Sequence, residues 1–258
     1  LKNYVLITGA SSGIGEAFSN YYAEKGKNLI LVARSKDKLH TMKKNFEKRY
    51  NIHVECLVYD LSIENISKDI YSKVSEKNIF VDTLINCAGF ATSGPVADVS
   101  FDQQHSEIMV NMVSLFDLTK LFLNKMKEKN QGQIINVASS SAYHPIPTMA
   151  VYAATKAFVL SFSESLSMEC KKTNIQVFAI SPGATDTNFF SNGGGVSYGS
   201  LRTPENVVQA TIKAMNKGKI SKIDGLNNYF TSTVLPRILP RKNMAKMVYG
   251  IMQKQLKK

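Results

Sequence analysis

Short apolar runs alternate along the first 180 residues with longer charged stretches. The runs are YVLIT (4–8), NLILVA (28–33), HVECLVY (53–59), VDTLIN (81–86), QIINVA (133–138) and IQVFAI (175–180). They are rich in β-branched residues and do not alternate strictly, so each strand is expected to be buried on both faces, as in a parallel sheet. The segments between them, 13–26, 36–50, 62–77, 102–129 and 152–172, carry helical spacing. This alternation predicts an α/β fold: a doubly wound parallel sheet of the Rossmann type, with right-handed crossovers placing helices on both faces.

The 258 residues allow one large domain or two small ones. No linker, repeat or low-complexity tract interrupts residues 1–180, so a single domain over 1–258 is expected. Two segments depart from the alternating order. ATDTNFFSNGGGVSYGSLRT (184–203) is long, glycine-rich and aromatic, the composition of a substrate loop. Beyond about residue 226 a basic C-terminal extension follows. There Met244, Met247, Val248, Ile251 and Met252 keep helical spacing, with lysines on the other side. That pattern fits docking on the protein's own core before it fits contact with an anionic membrane surface.

Charge sharpens this picture. The net charge is +12, and Arg237 to Lys258 hold seven bases and no acid. Basic charge gathered at one end reads as a solvated tail, not a nucleic-acid site, which needs a charged stripe interleaved with aromatics. Cys56, Cys87 and Cys170 are far apart, with no CxxC, and are expected to be reduced thiols. The four histidines have no metal-ligand spacing, so no metal is expected. No apolar run approaches ~18 residues. The chain enters NYVLITG without a signal-peptide pattern, and a cytoplasmic location is expected.

The first strand runs into TGASSGIG (8–15) and then a helix. Gly9, Gly13 and Gly15 permit a tight turn with close backbone approach. The turn, with Ser11, Ser12 and Ile14, leads to a helix N-terminus that offers free N–H groups to a pyrophosphate. At the end of the second strand stands Arg34, with no acid before Asp37. A guanidinium suits a 2′-phosphate, and Ser35 and Lys38 are placed to help, so NADP(H) is expected over NAD(H).

VYAATK (151–156) places Tyr152 four residues before Lys156, on one helix face. A tyrosine titrates near ~10 and is a slow proton carrier at neutral pH. A fixed cation nearby is expected to favour its phenolate.

The ordered set of these motifs resembles the short-chain dehydrogenase/reductase family over nearly the full chain. The matching pieces are TGASSGIG (8–15), DL (60–61), NCAG (86–89), Asn111 in MVNMVSLF, Ser139 in INVASS, Tyr152 and Lys156 in YAATK, and SPGATDT (181–187). Ser139 and Tyr152 are separated by the family's usual thirteen residues. The resemblance implies that Tyr152 protonates the substrate oxygen, Ser139 stabilises it, and Lys156 also bonds the nicotinamide ribose. It implies that Asn111 bends its helix and holds a relay water. Asp60 would bond the adenine amine with Leu61 beside it, and Asn86, Ala88 and Gly89 would line a strand end near the cofactor. Pro182, Gly183 and Thr187 would hold the nicotinamide side. Cys87 replaces the commoner second asparagine of Asn-Asn-Ala-Gly. The stretch 223–241 looks like a bacterial branch with poorly defined substrates.

The expected activity is hydride transfer between NADP(H) and a carbonyl or secondary alcohol, in the direction of reduction. The pocket is expected from Phe90 to Gly94, Tyr143 to Met149 and the 184–203 loop, with His144 at its rim. These mostly apolar segments suit a hydrophobic ketone, an aldehyde or a 3-oxoacyl substrate. The alternative is a catalytically silent dinucleotide-binding or sensor protein, which would lack one of Ser, Tyr or Lys. The helices at 102–129 and 152–172 often form the subunit contact in this family, so a homodimer or homotetramer is expected.

Overall fold

In the computed structural model, residues 2–187, 189 and 201–256 are described. The first six strands fall on the six apolar runs: β1 (Asn3–Thr8), β2 (Asn28–Ala33), β3 (Val54–Val58), β4 (Phe80–Asn86), β5 (Gly132–Val137) and β6 (Ile175–Ser181). A seventh, β7 (Ser221–Ile223), pairs with β6. All pairings are parallel, in the order β3-β2-β1-β4-β5-β6-β7. Three residues is too short a run for a periodicity signal, and β7 was not among the expected strands.

Burial explains the unbroken apolar runs. Val5 and Ile7 of β1 and Leu29 and Leu31 of β2 pack on one side of the sheet, with Phe18, Tyr22, Leu39 and Phe46. Tyr4, Leu6, Ile30 and Val32 turn to the other side, against Ile70, Leu118 and Phe122. Successive side chains point to opposite faces, and helices cover both, so neither parity can be polar. The helices are α1 (Gly13–Glu24), α2 (Lys36–Tyr50), α3 (Ile66–Glu76), α4 (Phe101–Ile108), α5 (Ser114–Lys129), α6 (Ala150–Glu169) and α7 (Pro204–Met215). Asn51 and Asn130 end α2 and α5 in the left-handed conformation, which asparagine tolerates.

The stretch expected as one helix over 102–129 is broken by a π-helical turn, Met109–Val113, centred on Asn111. Such turns inside helices occur mostly at functional sites. After β7 come α8 (Leu226–Tyr229), a second π turn (Phe230–Val234), α9 (Leu235–Ile238) and α10 (Arg241–Leu256). The chain crosses from β3, at one edge, back past β1 to β4. That reversal, between β1 and β4, opens a crevice at the carboxyl ends of the strands, where open α/β sheets bind ligands.

Candidate active site

One cavity of about 930 Å³ lies along that carboxyl edge. Its floor at one end is the glycine turn. A Cβ on Gly9 would stand 2.9 Å from the Ala88 Cα, and one on Gly15 would collide with the Gly9 carbonyl. Only glycine therefore lets the turn pass between β1 and the 87–89 strand end. Gly9 and Gly13 also have positive φ, 66° and 55°. The turn delivers the N-terminus of α1, whose N-cap Ser12 makes no side-chain cap. The first N–H groups of a helix have no intrahelical acceptor, so this end suits a pyrophosphate. Thr8 Oγ1 accepts from the amides of Cys87 (3.0 Å) and Ala88 (3.1 Å), tying β1 to the NCAG segment.

At the next strand end, Arg34 is 77% exposed, with Nη1 3.8 Å from Asp60 Oδ2. Asp60 Oδ1 accepts from the Ser62 amide and hydroxyl at 2.9 and 2.8 Å. Burial would raise the Asp60 carboxyl, but those bonds and the Arg34 charge together hold it below its ordinary value. Ser35, Lys38 and Leu61 complete this end of the wall.

The centre of the cavity holds Ser139, Tyr152 and Lys156, all buried. Ser139 ends β5's extension and its hydroxyl accepts from the Ser141 amide at 3.1 Å. Tyr152 and Lys156 come from the first turns of α6, and the Lys156 ammonium lies over the Tyr152 ring, 5.8 Å from its centroid. Lys156 Nζ donates to the Val137 carbonyl at 2.8 Å. Burial pushes the phenol up to about 12, against the pull of a hydrogen bond from Ser139 and with the Glu107 charge adding to it. Burial pushes Lys156 down to about 8, opposed by Cys87 and Glu107. Desolvation dominates the proton affinity of Tyr152, which is held as a neutral proton donor, and the effect expected of Lys156 on the phenolate is not what sets that value.

Asn111 and Asn86, both expected at the site, stand behind the cavity wall and do not line it. Asn111 Oδ1 accepts from the Phe90 amide (3.1 Å), and its Nδ2 donates to the Phe90 carbonyl (2.9 Å) and Thr155 Oγ1 (3.2 Å). A Cβ on Gly89 would stand 3.0 Å from Asn111 Oδ1 and 3.5 Å from Lys156 Nζ, so the two groups converge at that glycine. Asn86 spends its amide on Thr119 and Asn136, each at 2.9 Å, and Asn136 donates onward to Ser163. It fixes the strand end from within through Nδ2, while its Oδ1 is buried without a hydrogen-bond partner among the described residues.

Sequence reasoning passed over Glu107, one helical turn before Asn111. It is fully buried on α4, and Oε2 accepts from the Thr92 amide (3.0 Å) and hydroxyl (2.6 Å). Oε1 is buried without a hydrogen-bond partner. Burial pushes this carboxyl up, opposed by the Thr92 bonds and the Lys156 charge. The signal available was the i,i+4 spacing of Glu107 and Asn111 on an otherwise apolar face.

The far end of the cavity is apolar. Ile146, Met149, Leu235, Met244, Val248 and Met252 line it, with Phe189 5.6 Å from Tyr152 between ring centroids. Met244, Val248 and Met252 are buried in a cluster with Ala91, Met149 and Tyr152, so the tail helix docks on the core as expected. Met247 and Ile251, expected in the same stripe, line the cavity yet remain exposed. His144 also lines the cavity, and burial lowers its proton affinity. Pro182, Gly183 and Thr187 form the opposite wall, Thr187 packed where a Gly13 Cβ would fall. The 184–203 segment is closed at its base by two backbone bonds: the Asp186 amide donates to the Arg202 carbonyl (2.8 Å) and the Arg202 amide to the Ala184 carbonyl (3.1 Å). Phe190, the glycine run and Tyr198 lie outside the described residues.

A glycine turn, a Ser–Tyr–Lys set and a polar–apolar cavity in this order have close counterparts among known proteins. The profile of the family described as short chain dehydrogenase matches residues 3–194. The chain belongs to the short-chain dehydrogenase family. A very-long-chain 3-oxoacyl-CoA reductase of Mus musculus is 30% identical over 188 residues, covering 70% of this chain and 59% of the mouse protein. The match thus spans under two thirds of that relative's length. An uncharacterized oxidoreductase of Staphylococcus epidermidis is 29% identical over 218 residues, 84% of this chain and 92% of the relative. A short-chain dehydrogenase from Sphingobium yanoikuyae, solved in complex with NADPH, superposes with a TM-score of 0.83 at 29% identity, over 91% of this chain and 92% of that one. Membership makes the chain an oxidoreductase with a single Rossmann-type domain, as its sheet order also has it.

Proposed function

We propose that the protein is an NADP(H)-dependent carbonyl reductase acting on ketones with a long or bulky apolar body, 3-oxoacyl compounds among them. The observation that carries this reading is the placing of Ser139, Tyr152 and Lys156 midway along one cavity, between a phosphate cradle and an apolar wall. The NADPH-bound relative and the 3-oxoacyl-CoA reductase relative support the cofactor and substrate class respectively.

The cradle fits a dinucleotide: Gly9, Gly13 and Gly15 leave room that a side chain would fill, and α1 presents uncapped N–H groups. Arg34, exposed beside Ser35 and Lys38, meets a 2′-phosphate with charge-assisted bonds. NADPH when bound supplies the hydride that adds to the carbonyl carbon. The protein's own groups handle the oxygen. The Ser139 hydroxyl donates a hydrogen bond to it as negative charge develops. Tyr152, kept protonated by burial, transfers its phenolic proton to that oxygen, giving the alcohol and leaving a phenolate. The Lys156 ammonium over the ring then stabilises the phenolate until solvent returns a proton. Asn111 holds the 89–90 backbone that Lys156 faces.

Self-association is part of the reading. Phe116 on α5 is exposed beside Phe162, which stacks on Phe158 of α6, and these helices offer an aromatic patch for a second copy.

The test is a panel of 3-oxoacyl thioesters, bulky aryl ketones and short ketones, followed by loss of NADPH absorbance with NADH in parallel. Turnover confined to apolar-bodied ketones and favouring NADPH is expected. Tight NADPH binding without turnover on any carbonyl class overturns the reading.

A further inference from the structure

The C-terminal extension leaves a second, outward-facing surface that the cavity does not use. Leu226, Tyr229 and Phe230 recur at i, i+3 and i+4, on one side of α8 and the π turn after it, and all three are exposed, Leu226 at 88% and Phe230 at 55%. Ile238, at the end of α9, is 71% exposed, and Tyr249 is exposed on α10. Arg237, Arg241, Lys242 and Lys246 stand among them, all exposed, and among the described residues none has an ion-pair partner. No acid occurs from Gly225 to Lys258. Large apolar side chains that reach water in one segment, interleaved with bases alone, mark an interaction surface.

The same elements border the open end of the cavity. Thr231, Met247 and Ile251 each line the cavity and are each exposed, so the cavity opens between the π turn after α8 and helix α10. Their neighbours in the chain are the exposed apolar and basic residues just named.

We propose that this segment docks the protein onto an anionic lipid bilayer, with the open end of the cavity on the docked side. Charge decides the occupant. Two copies facing each other through this segment would oppose bases to bases with no acid to compensate, and like charges disfavour the contact. An anionic leaflet supplies the missing charge, while Leu226, Phe230 and Ile238 enter the acyl boundary. Self-association has its own aromatic patch on α5 and α6.

Co-sedimentation of the full chain with vesicles tests this, comparing neutral phosphatidylcholine with phosphatidylcholine containing phosphatidylserine. Binding to the anionic vesicles that weakens with salt is expected. Arg237→Gln with Arg241→Gln lowers partitioning about 30-fold, at about fivefold for each charge lost near an anionic surface. Leu226→Ser with Phe230→Ser lowers it on its own. NADPH oxidation with a water-soluble ketone stays unchanged in both double variants, which separates this proposal from the reading of the active site. Absence of binding at every composition, equal binding by wild type and variants, or a smaller oligomer in light scattering for Leu226→Ser with Phe230→Ser, each overturns it, the last by assigning the face to a second copy.

Discussion

The ammonium of Lys156 lies over the ring of Tyr152, 5.8 Å from its centroid, and burial moves the proton affinities of the two groups apart. The phenol goes up to about 12 and the amine comes down to about 8. A neutral phenol beside an amine that still carries its proton below pH 8 is the state that donates to a nascent alkoxide. Tyr152→Phe removes the proton and little volume. Turnover is expected to fall by roughly 10²–10⁴-fold, with NADPH affinity retained in a fluorescence titration. Turnover within a few fold of wild type would remove Tyr152 from the chemistry.

Lys156 also links pH to stability. Its folded pKa lies below its unfolded value, so the stability of the neutral form is present above the unfolded pKa of 10.5 and is lost as pH falls through about 8. Lys156→Met carries no such cost. The melting temperature of the variant minus that of wild type is therefore expected to be larger at pH 7 than at pH 10. The difference is the quantity to measure, because half-buried Cys87 and buried Tyr152, both pushed up to about 12, give slopes of the opposite sign as their unfolded forms ionise. A difference that does not change with pH would place the ammonium in contact with water.

Glu107 gives the opposite sign at the acid end. Its carboxyl is raised by burial, so its contribution is full below the unfolded value of 4.5 and is lost as pH rises through the folded one. In Glu107→Gln an amide oxygen can still accept from Thr92, and an uncharged group replaces the carboxyl oxygen that has no hydrogen-bond partner. The variant is expected to gain stability over wild type as pH rises from 4 to 7, read as diverging denaturation midpoints. Parallel midpoints would show the carboxylate to be satisfied.

The sheet was legible because a parallel sheet covered on both faces writes each strand as an unbroken apolar run, and six such runs became β1 to β6. β7 has three residues, two of them half-buried, and carries no such run. The glycine turn could be read because Gly9 and Gly15 meet backbone atoms that no side chain could share space with. The positions of Asn86 and Asn111 behind the wall could not, since a buried amide's partners, here Thr119, Asn136, Phe90 and Thr155, come from distant segments. The proton affinities of Tyr152 and Lys156 depend on burial, which i,i+4 spacing does not report. The tail's double face escaped for a related reason. A helical stripe of five apolar residues does not tell that Met244, Val248 and Met252 meet the core while Met247 and Ile251 remain exposed at the cavity.

Arg202 and Asp224 carry the base of the 184–203 segment. Nε donates to Oδ2 at 2.9 Å and Nη2 to Oδ1 at 3.0 Å, a two-pronged pair whose carboxylate side chain is 2% exposed. Arg202→Ala leaves that carboxylate buried without its cation, at a cost of about 3 kcal/mol. Ala184 and Asp186, bonded to the Arg202 backbone on either side of Thr185, lie just before Thr187 and Phe189, which line the cavity. Loss of the pair is therefore expected to lower the denaturation midpoint and also to raise KM for the ketone.

Arg34 offers the cleanest cofactor test because its side chain is mostly in water. Arg34→Ala breaks only a 3.8 Å approach to Asp60, so stability is expected to change by less than ~0.5 kcal/mol. A charge-assisted bond to a 2′-phosphate is worth about 1.5–3 kcal/mol, so kcat/KM for NADPH should fall roughly 10- to 150-fold. The value for NADH, which carries no 2′-phosphate, should stay within a few fold. Asp60→Asn works in the opposite sense, since it removes the carboxylate that Arg34 approaches and frees the guanidinium for the phosphate. Equal losses with both cofactors in Arg34→Ala would show that the guanidinium supports the shared adenosine end and does not read the phosphate.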